Sequence, residues 1–166
     1  QQTERGTGKR TSIAPRPDLQ EVPLAQRAAH DFDPLGDKNE HADQTSAVVD
    51  GISSSTWATE SYTSKDLQKP GVGIVIDASP GVAARQLELR TPTPGFEATV
   101  YVAPGARPAT EPPRGWTAVS ATRRVGSKEN FDLDTAGQRM RQYLVWITKL
   151  PDGAERAEIS EILLFR

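Results

Sequence analysis

The chain has 166 residues, 36% of them hydrophobic and 25% charged, with a formal net charge of −2 and no cysteine. That length suits one domain, and the charge removes the attraction on which a non-specific nucleic-acid binder depends. Without cysteine there is no disulfide framework, no thiolate chemistry and no cysteine-ligated zinc, so a metal has only oxygen ligands or His30 and His41.

Residues 1–26 carry Ile13, Leu19, Val22 and Leu24 as their large aliphatic side chains. They bury too little apolar surface to offset their ordering entropy and read as a flexible linker. Residues 27–166 read as the domain. No apolar run approaches the roughly 20 residues of a membrane-spanning helix. The start at Gln1 reads as that of an excised or processed fragment, with any membrane segment lying upstream.

Beyond residue 27, short apolar stretches alternate with Gly, Pro, Asp and Ser clusters, which predicts an all-β sandwich of about eight strands. Gly73–Ala78 is a β-branched run. It is followed by a turn at Ser79–Pro80–Gly81 and by Ala83–Arg90, where Leu87 and Leu89 alternate with polar residues, so the two runs read as a hairpin. In Phe96–Val102 the residues Phe96, Ala98, Val100 and Val102 share one face. Trp116–Ala121 and Phe131–Leu133 predict short strands. Gln142–Leu150 is apolar on both faces, as a central strand requires, and Glu158–Phe165 closes the fold as a strand. Gly71–Val72–Gly73 precedes a strand, the wrong context for a phosphate-binding loop.

The densest polar constellation is Asp31–Asp43. Its spaced carboxylates around Gly36 suit a hard cation, yet the acid required at the twelfth position of an EF-hand loop is missing, and Asp–Pro and Gly–Asp are also ordinary turn chemistry. His30 and His41 are the available bases for a Ser–His–Asp set. No nucleophile elbow surrounds Ser53, Ser54 or Ser55, and the chain reads as no enzyme. Among the aromatic residues, Trp146 and Trp57 read as core. Tyr62 and Trp116 sit beside polar loops and are balanced between core and an exposed platform for a sugar or peptide.

At Ala47–Val–Val–Asp50–Gly51–Ile–Ser–Ser–Ser55–Thr–Trp57 the sequence resembles the opening of discoidin-like, galactose-binding-like β-sandwich domains. Ile159–Ser–Glu161–Ile–Leu–Leu–Phe165 is similar to their last strand. More narrowly, Phe32–Asp37, Trp57–Tyr62 and Lys69–Asp77 resemble a domain at the extracytoplasmic C-terminus of actinobacterial MviN/MurJ-type proteins. In mycobacteria that protein joins a lipid II flippase-like membrane region to an intracellular pseudokinase.

The resemblance implies a jelly roll on the periplasmic or cell-wall side of a membrane-anchored protein, acting as a non-catalytic binding module. Its implied ligand is a cell-wall glycan or peptidoglycan precursor. The residues expected to bind it are Tyr62 and Trp116 as stacking rings, with Asp37, Glu40, His41, Arg123 and Arg124 as hydrogen-bonding groups. Structural calcium, which the wider fold often holds, would fall to Asp50, Ser55 and Glu161, with Ile52 at a position lacking a ligand oxygen. The competing reading is a protein-interaction or spacer domain that docks onto a cell-wall-synthesis protein without a carbohydrate ligand.

Overall fold

A strand that is apolar at both parities needs cover on both faces, and Gln142–Leu150 is such a run. In a computed structural model, which describes residues 18–36 and 40–166, it lies at the centre of the larger of two main sheets. The strands are β1 (Ala29–Phe32), β2 (Trp57–Ala58), β3 (Val72–Val82), β4 (Gln86–Arg90), β5 (Glu97–Ala103), β6 (Thr117–Ala118), β7 (Arg123–Arg124), β8 (Lys128–Asp132), β9 (Met140–Lys149), β10 (Glu158–Ile159) and β11 (Glu161–Phe165). The larger sheet has the order β1-β3-β9-β5-β6, with β7 also paired to β5, and the second main sheet has the order β11-β4-β8. β10 pairs with β2.

Alternation along β9 divides the molecule. Tyr143, Val145 and Ile147 point inward with Ile74 and Ile76 of β3 and Ala98, Val100 and Val102 of β5. From the opposite sheet, Leu87, Leu89, Phe131, Ile162 and Leu164 complete the same buried cluster. Leu144 and Trp146 point outward and join Phe32, Val75, Ala103 and Trp116 in a second cluster on the outer face. The glycines before and within β3 serve this packing. A Cβ at Gly71 would stand 2.4 Å from the Trp146 ring, and one at Gly73 would stand 2.3 Å from the Val145 carbonyl oxygen.

The expected β3–β4 hairpin is not formed. β3 continues through Ser79–Pro80–Gly81 to Val82, and β4 pairs with β11 and β8 in the other sheet. Ser79–Gly81 is a bulge instead of a turn: Gln142 stands opposite Asp77 and Met140 opposite Val82, so the chain on the β3 side is longer. The real corner is at 83–85, where the chain changes layers. Tyr143 holds it by donating its hydroxyl to the Val82 carbonyl and accepting Ala84 N–H at 3.0 Å. Thr135 Oγ1 donates to Ala84 O at 3.1 Å.

The closing run forms strands as expected, interrupted at Ser160. Part of the segment read as linker lies beside it. Gln20 and Arg166 exchange backbone hydrogen bonds at 2.9 Å each, and Val22 N donates to Leu164 O at 2.8 Å. Val22 and Leu24 pack against the core. The linker residues 1–17 lie outside the described residues.

Removing the Tyr143 hydroxyl strands a buried donor and a buried acceptor at the corner. Tyr143→Phe is therefore expected to lower stability by about 2 kcal/mol, measured by urea denaturation, with unchanged sheet signal in the folded baseline. A loss below about 0.5 kcal/mol would show that the corner is held by packing alone.

Candidate functional site

Strand register decides which loops meet. Phe32 pairs with Gly73 and Ile147 with Val72. Glu97 pairs with both Lys149 and Arg124. The loops that include residues 33–36 with 40–41, 59–71, 91–96, 121–127 and 150–157 consequently gather at one end of the sandwich. Backbone bonds join them: Tyr62 N donates to Glu155 O at 2.7 Å, Thr59 N to Ala157 O at 2.9 Å, and Gly95 N to Val125 O at 2.8 Å.

Between two of these loops runs a groove of about 350 Å³, lined by Lys65–Lys69 on one side and Thr148–Gly153 on the other. Four non-glycine residues among those described have φ in the left-handed region, and His41 (51°), Lys65 (65°) and Gln68 (57°) belong to this end, with Ala136 elsewhere. Such conformations cost energy and concentrate where surrounding structure imposes them. Here Asp66 imposes one, its Oδ1 accepting Gln68 N–H at 2.9 Å.

Behind the groove lies a polar network. Lys69 Nζ donates to Asp33 Oδ1 at 2.8 Å and stands 5.3 Å from the centre of the Tyr62 ring. The Tyr62 hydroxyl donates to Glu40 Oε1 at 2.8 Å, and Glu60 N donates to the same oxygen at 3.2 Å. Asp33 Oδ2 and Glu40 Oε2 are buried without hydrogen-bond partners. Burial raises the Glu40 carboxyl above its ordinary range. The Tyr62 hydroxyl, Glu60 N–H and Lys69 oppose the rise, while Asp33 adds to it. The Tyr62 hydroxyl is raised in turn, by burial first and by Glu40 second.

The network joins several sequence-predicted residues but gives some of them interior duties. Glu40 is 1% exposed, so its carboxylate braces the loop end and does not meet solvent. His41 Nδ1 donates to Ala58 O at 2.7 Å, with Nε2 3.6 Å from Glu60 Oε2. Tyr62 is half-buried, and Lys69 sits over its ring. Arg123 and Arg124 lie at the same end. Arg123 is held by Glu129 at 2.6 Å and by Asn130 O at 3.0 Å, whereas Arg124 reaches Asp152 at a loose 3.4 Å. Asp37 lies outside the described residues.

Trp116 does not join them. It is 6% exposed, edge-on to Phe32 at 5.5 Å, with its indole N–H donating to Thr110 O at 3.1 Å. The ring is thus a plug on the outer face beneath the 104–115 loop, which leaves β5 at the end away from the groove, and it offers no open stacking surface. Trp57, as expected, is core, donating to Glu40 O at 2.6 Å. Sequence reasoning missed Lys65, Gln68, Lys149 and Asp152. The legible signals were the polar run 63–70 and the turn at Pro151–Asp152–Gly153.

The calcium set is close in space but poor in free donors. Asp50 accepts Ile52 N at 2.8 Å on Oδ1 and the Ser55 hydroxyl at 2.6 Å on Oδ2, while Ile52 offers no side-chain oxygen. Glu161 keeps a buried, unpartnered Oε1, and its carboxyl is raised by burial first and by Asp50 second. Calcium takes 6–8 oxygen ligands, and these side chains do not fit that demand. In the Asp31–Asp43 loop, Asp31 accepts Glu40 N at 2.8 Å and Asp33 is paired with Lys69. Among the described residues, no group of three or more His, Asp or Glu is placed to hold a metal ion.

A carboxyl with a raised folded pKa binds its proton more tightly in the folded chain. Its favourable contribution is present below the unfolded pKa of about 4.3 and is lost as pH rises through the raised folded value. Glu40→Gln removes that loss, so its stability relative to the parent should improve as pH rises above about 4 in urea denaturation. A difference that does not change with pH contradicts this account of Glu40.

No protein-family model and no curated protein sequence matches the chain. Solved structures do. Chitosan-binding module 1 from the chitosanase/glucanase of Paenibacillus sp. IK-5 superposes with TM-score 0.62 at 14% identity, over 89% of this chain and 99% of that one. The family 32 carbohydrate-binding module of C. perfringens NanJ, in complex with galactose, gives TM-score 0.64 at 13% identity, over 89% and 99%. The family 32 module of AlyQ, in complex with 4,5-unsaturated mannuronic acid, gives TM-score 0.62 at 12% identity, over 89% and 98%. At such identity the likeness is one of fold, and the chain has a β-sandwich fold of the galactose-binding-like type.

Proposed function

We propose that this chain is a non-catalytic extracytoplasmic glycan-binding module whose ligand is a peptidoglycan-related glycan or precursor, within a lipid II flippase-associated protein of cell-wall synthesis. The observation that carries the reading is the groove at the loop end. It lies in a fold whose similar solved structures include modules described as binding chitosan, galactose or an unsaturated uronic acid. The sequence resemblance at Phe32–Asp37, Trp57–Tyr62 and Lys69–Asp77 supports the cell-wall part of the proposal.

Binding of this kind needs donors and acceptors converging on a shallow depression, with little rearrangement. Gln68, Asp152 and Lys149 supply them from opposite walls of the groove. Tyr62 acts from behind, since its hydroxyl and one region above its ring are already engaged.

One observation favours the second reading, a protein-docking or spacer domain: Trp57, Trp116 and Trp146 are all buried, which leaves no tryptophan platform for a sugar face. The two readings separate in a calorimetric titration of the whole chain with soluble peptidoglycan fragments, lipid II analogues and neutral oligosaccharides. Saturable binding of at least one saccharide is expected, weakened about fivefold by Gln68→Ala, as the loss of one hydrogen bond predicts. No heat at millimolar ligand with a folded chain would overturn glycan binding and favour a protein partner.

A further inference from the structure

We propose that the groove selects a saccharide that bears a carboxylate, the anion lying between the Lys65 and Lys69 side and the Lys149 side. This rests on the glycan-binding reading and adds the class of ligand. Residues 28–166 hold 15 basic and 19 acidic side chains, so the domain as a whole repels anions, yet three of its lysines line this one groove.

Two acids, Asp66 and Asp152, line the groove beside the three lysines and leave its lining with a net charge of +1. Asp66 uses Oδ1 to hold Gln68 N–H in its left-handed turn. Asp152 is shared between Arg124 at 3.4 Å and Lys149 at 3.7 Å, distances too long to satisfy either cation. Lys65 makes no ion pair among the described residues, and its backbone is set by donation of its N–H to Tyr62 O at 2.8 Å. Lys69 is fixed, with its side chain only 14% exposed and its ammonium anchored on Asp33. An ammonium has three donors, and Asp33 is the one hydrogen-bond acceptor of Lys69 among the described residues. A ligand carboxylate supplies the acceptor that Lys65 lacks and draws Lys149 from Asp152, while Lys69 stays on Asp33.

A neutral sugar makes no such exchange, because a hydroxyl meets an ammonium with roughly half the strength of a carboxylate. The volume, about 350 Å³, falls at the lower end of the roughly 300–1,000 Å³ range of ligand pockets. That fits a short oligosaccharide segment and leaves the rest of a polymer outside.

The test uses the whole chain, a mannuronate trisaccharide, the matched neutral mannose trisaccharide and N-acetylglucosamine oligomers, titrated at low and moderate salt. The uronate is expected to bind at least tenfold more tightly than its neutral match, to weaken as salt rises, and to lose about fivefold on Lys65→Gln and on Lys149→Gln. Both lysines are at the surface, so the variants fold, and Lys128→Gln serves as a control for general charge. Neutral oligosaccharides binding as well as the uronate, with no effect of the two substitutions, would overturn the charge selection while glycan binding stands. No binding of any saccharide, the peptidoglycan fragments and lipid II analogues included, would overturn both.

Discussion

The rest of this molecule depends on burial of one strand from both sides. β9 is hydrogen-bonded along each edge, to β3 and to β5, and its two faces are covered by two different apolar clusters. Covering the inner face requires a second sheet, and covering the outer face requires the 104–115 loop with Trp116. A slip of one residue would exchange Tyr143, Val145 and Ile147 for Leu144 and Trp146 in the core. Gly71 and Gly73 resist such a slip because the space a Cβ would take there is already filled by Trp146 and the Val145 carbonyl. Tyr143 adds the link between layers, through its hydroxyl at the β3–β4 corner.

The same register brings five loops together at one end, and buried charge braces them. The Lys69–Asp33 pair is nearly enclosed. Removing one member of a buried pair typically costs roughly 3–5 kcal/mol because the other is left uncompensated. Glu40 holds Tyr62 and the Glu60 backbone while keeping one oxygen unpartnered. This interior scaffold permits the outer residues Lys65 and Gln68 to hold left-handed backbones that neither residue type favours. Rigid support behind a shallow polar groove is what reversible saccharide recognition demands, since little flexibility is then lost on binding.

Much of the fold was legible. The period of two in Phe96–Val102, the doubly apolar Gln142–Leu150 and the closing Glu158–Phe165 all form strands near their expected positions. The β3–β4 hairpin misled because Ser–Pro–Gly is equally good chemistry for a tight turn and for a bulge. Only the pairing partners of each strand distinguish the two. The site was harder to read. Glu40 and Trp116 stand next to polar loops in sequence, but burial is a property of what folds over them, namely the Tyr62 loop in one case and the 104–115 loop in the other. Lys65, Lys149 and Asp152 look like ordinary surface charges until register places two distant loops across a groove.

The most direct measurement is an amide chemical-shift map of the isotope-labelled chain titrated with a binding saccharide. The account predicts shifts concentrated in Lys65–Lys69 and Thr148–Gly153, with smaller ones passing to Tyr62 through Lys69. A larger opening of about 660 Å³ lies beside β1, lined by residues including Gln26, His30, Asp43 and Thr45. Shifts concentrated there, with the loop-end groove unchanged, would contradict the placement of the site and the recognition chemistry derived from it.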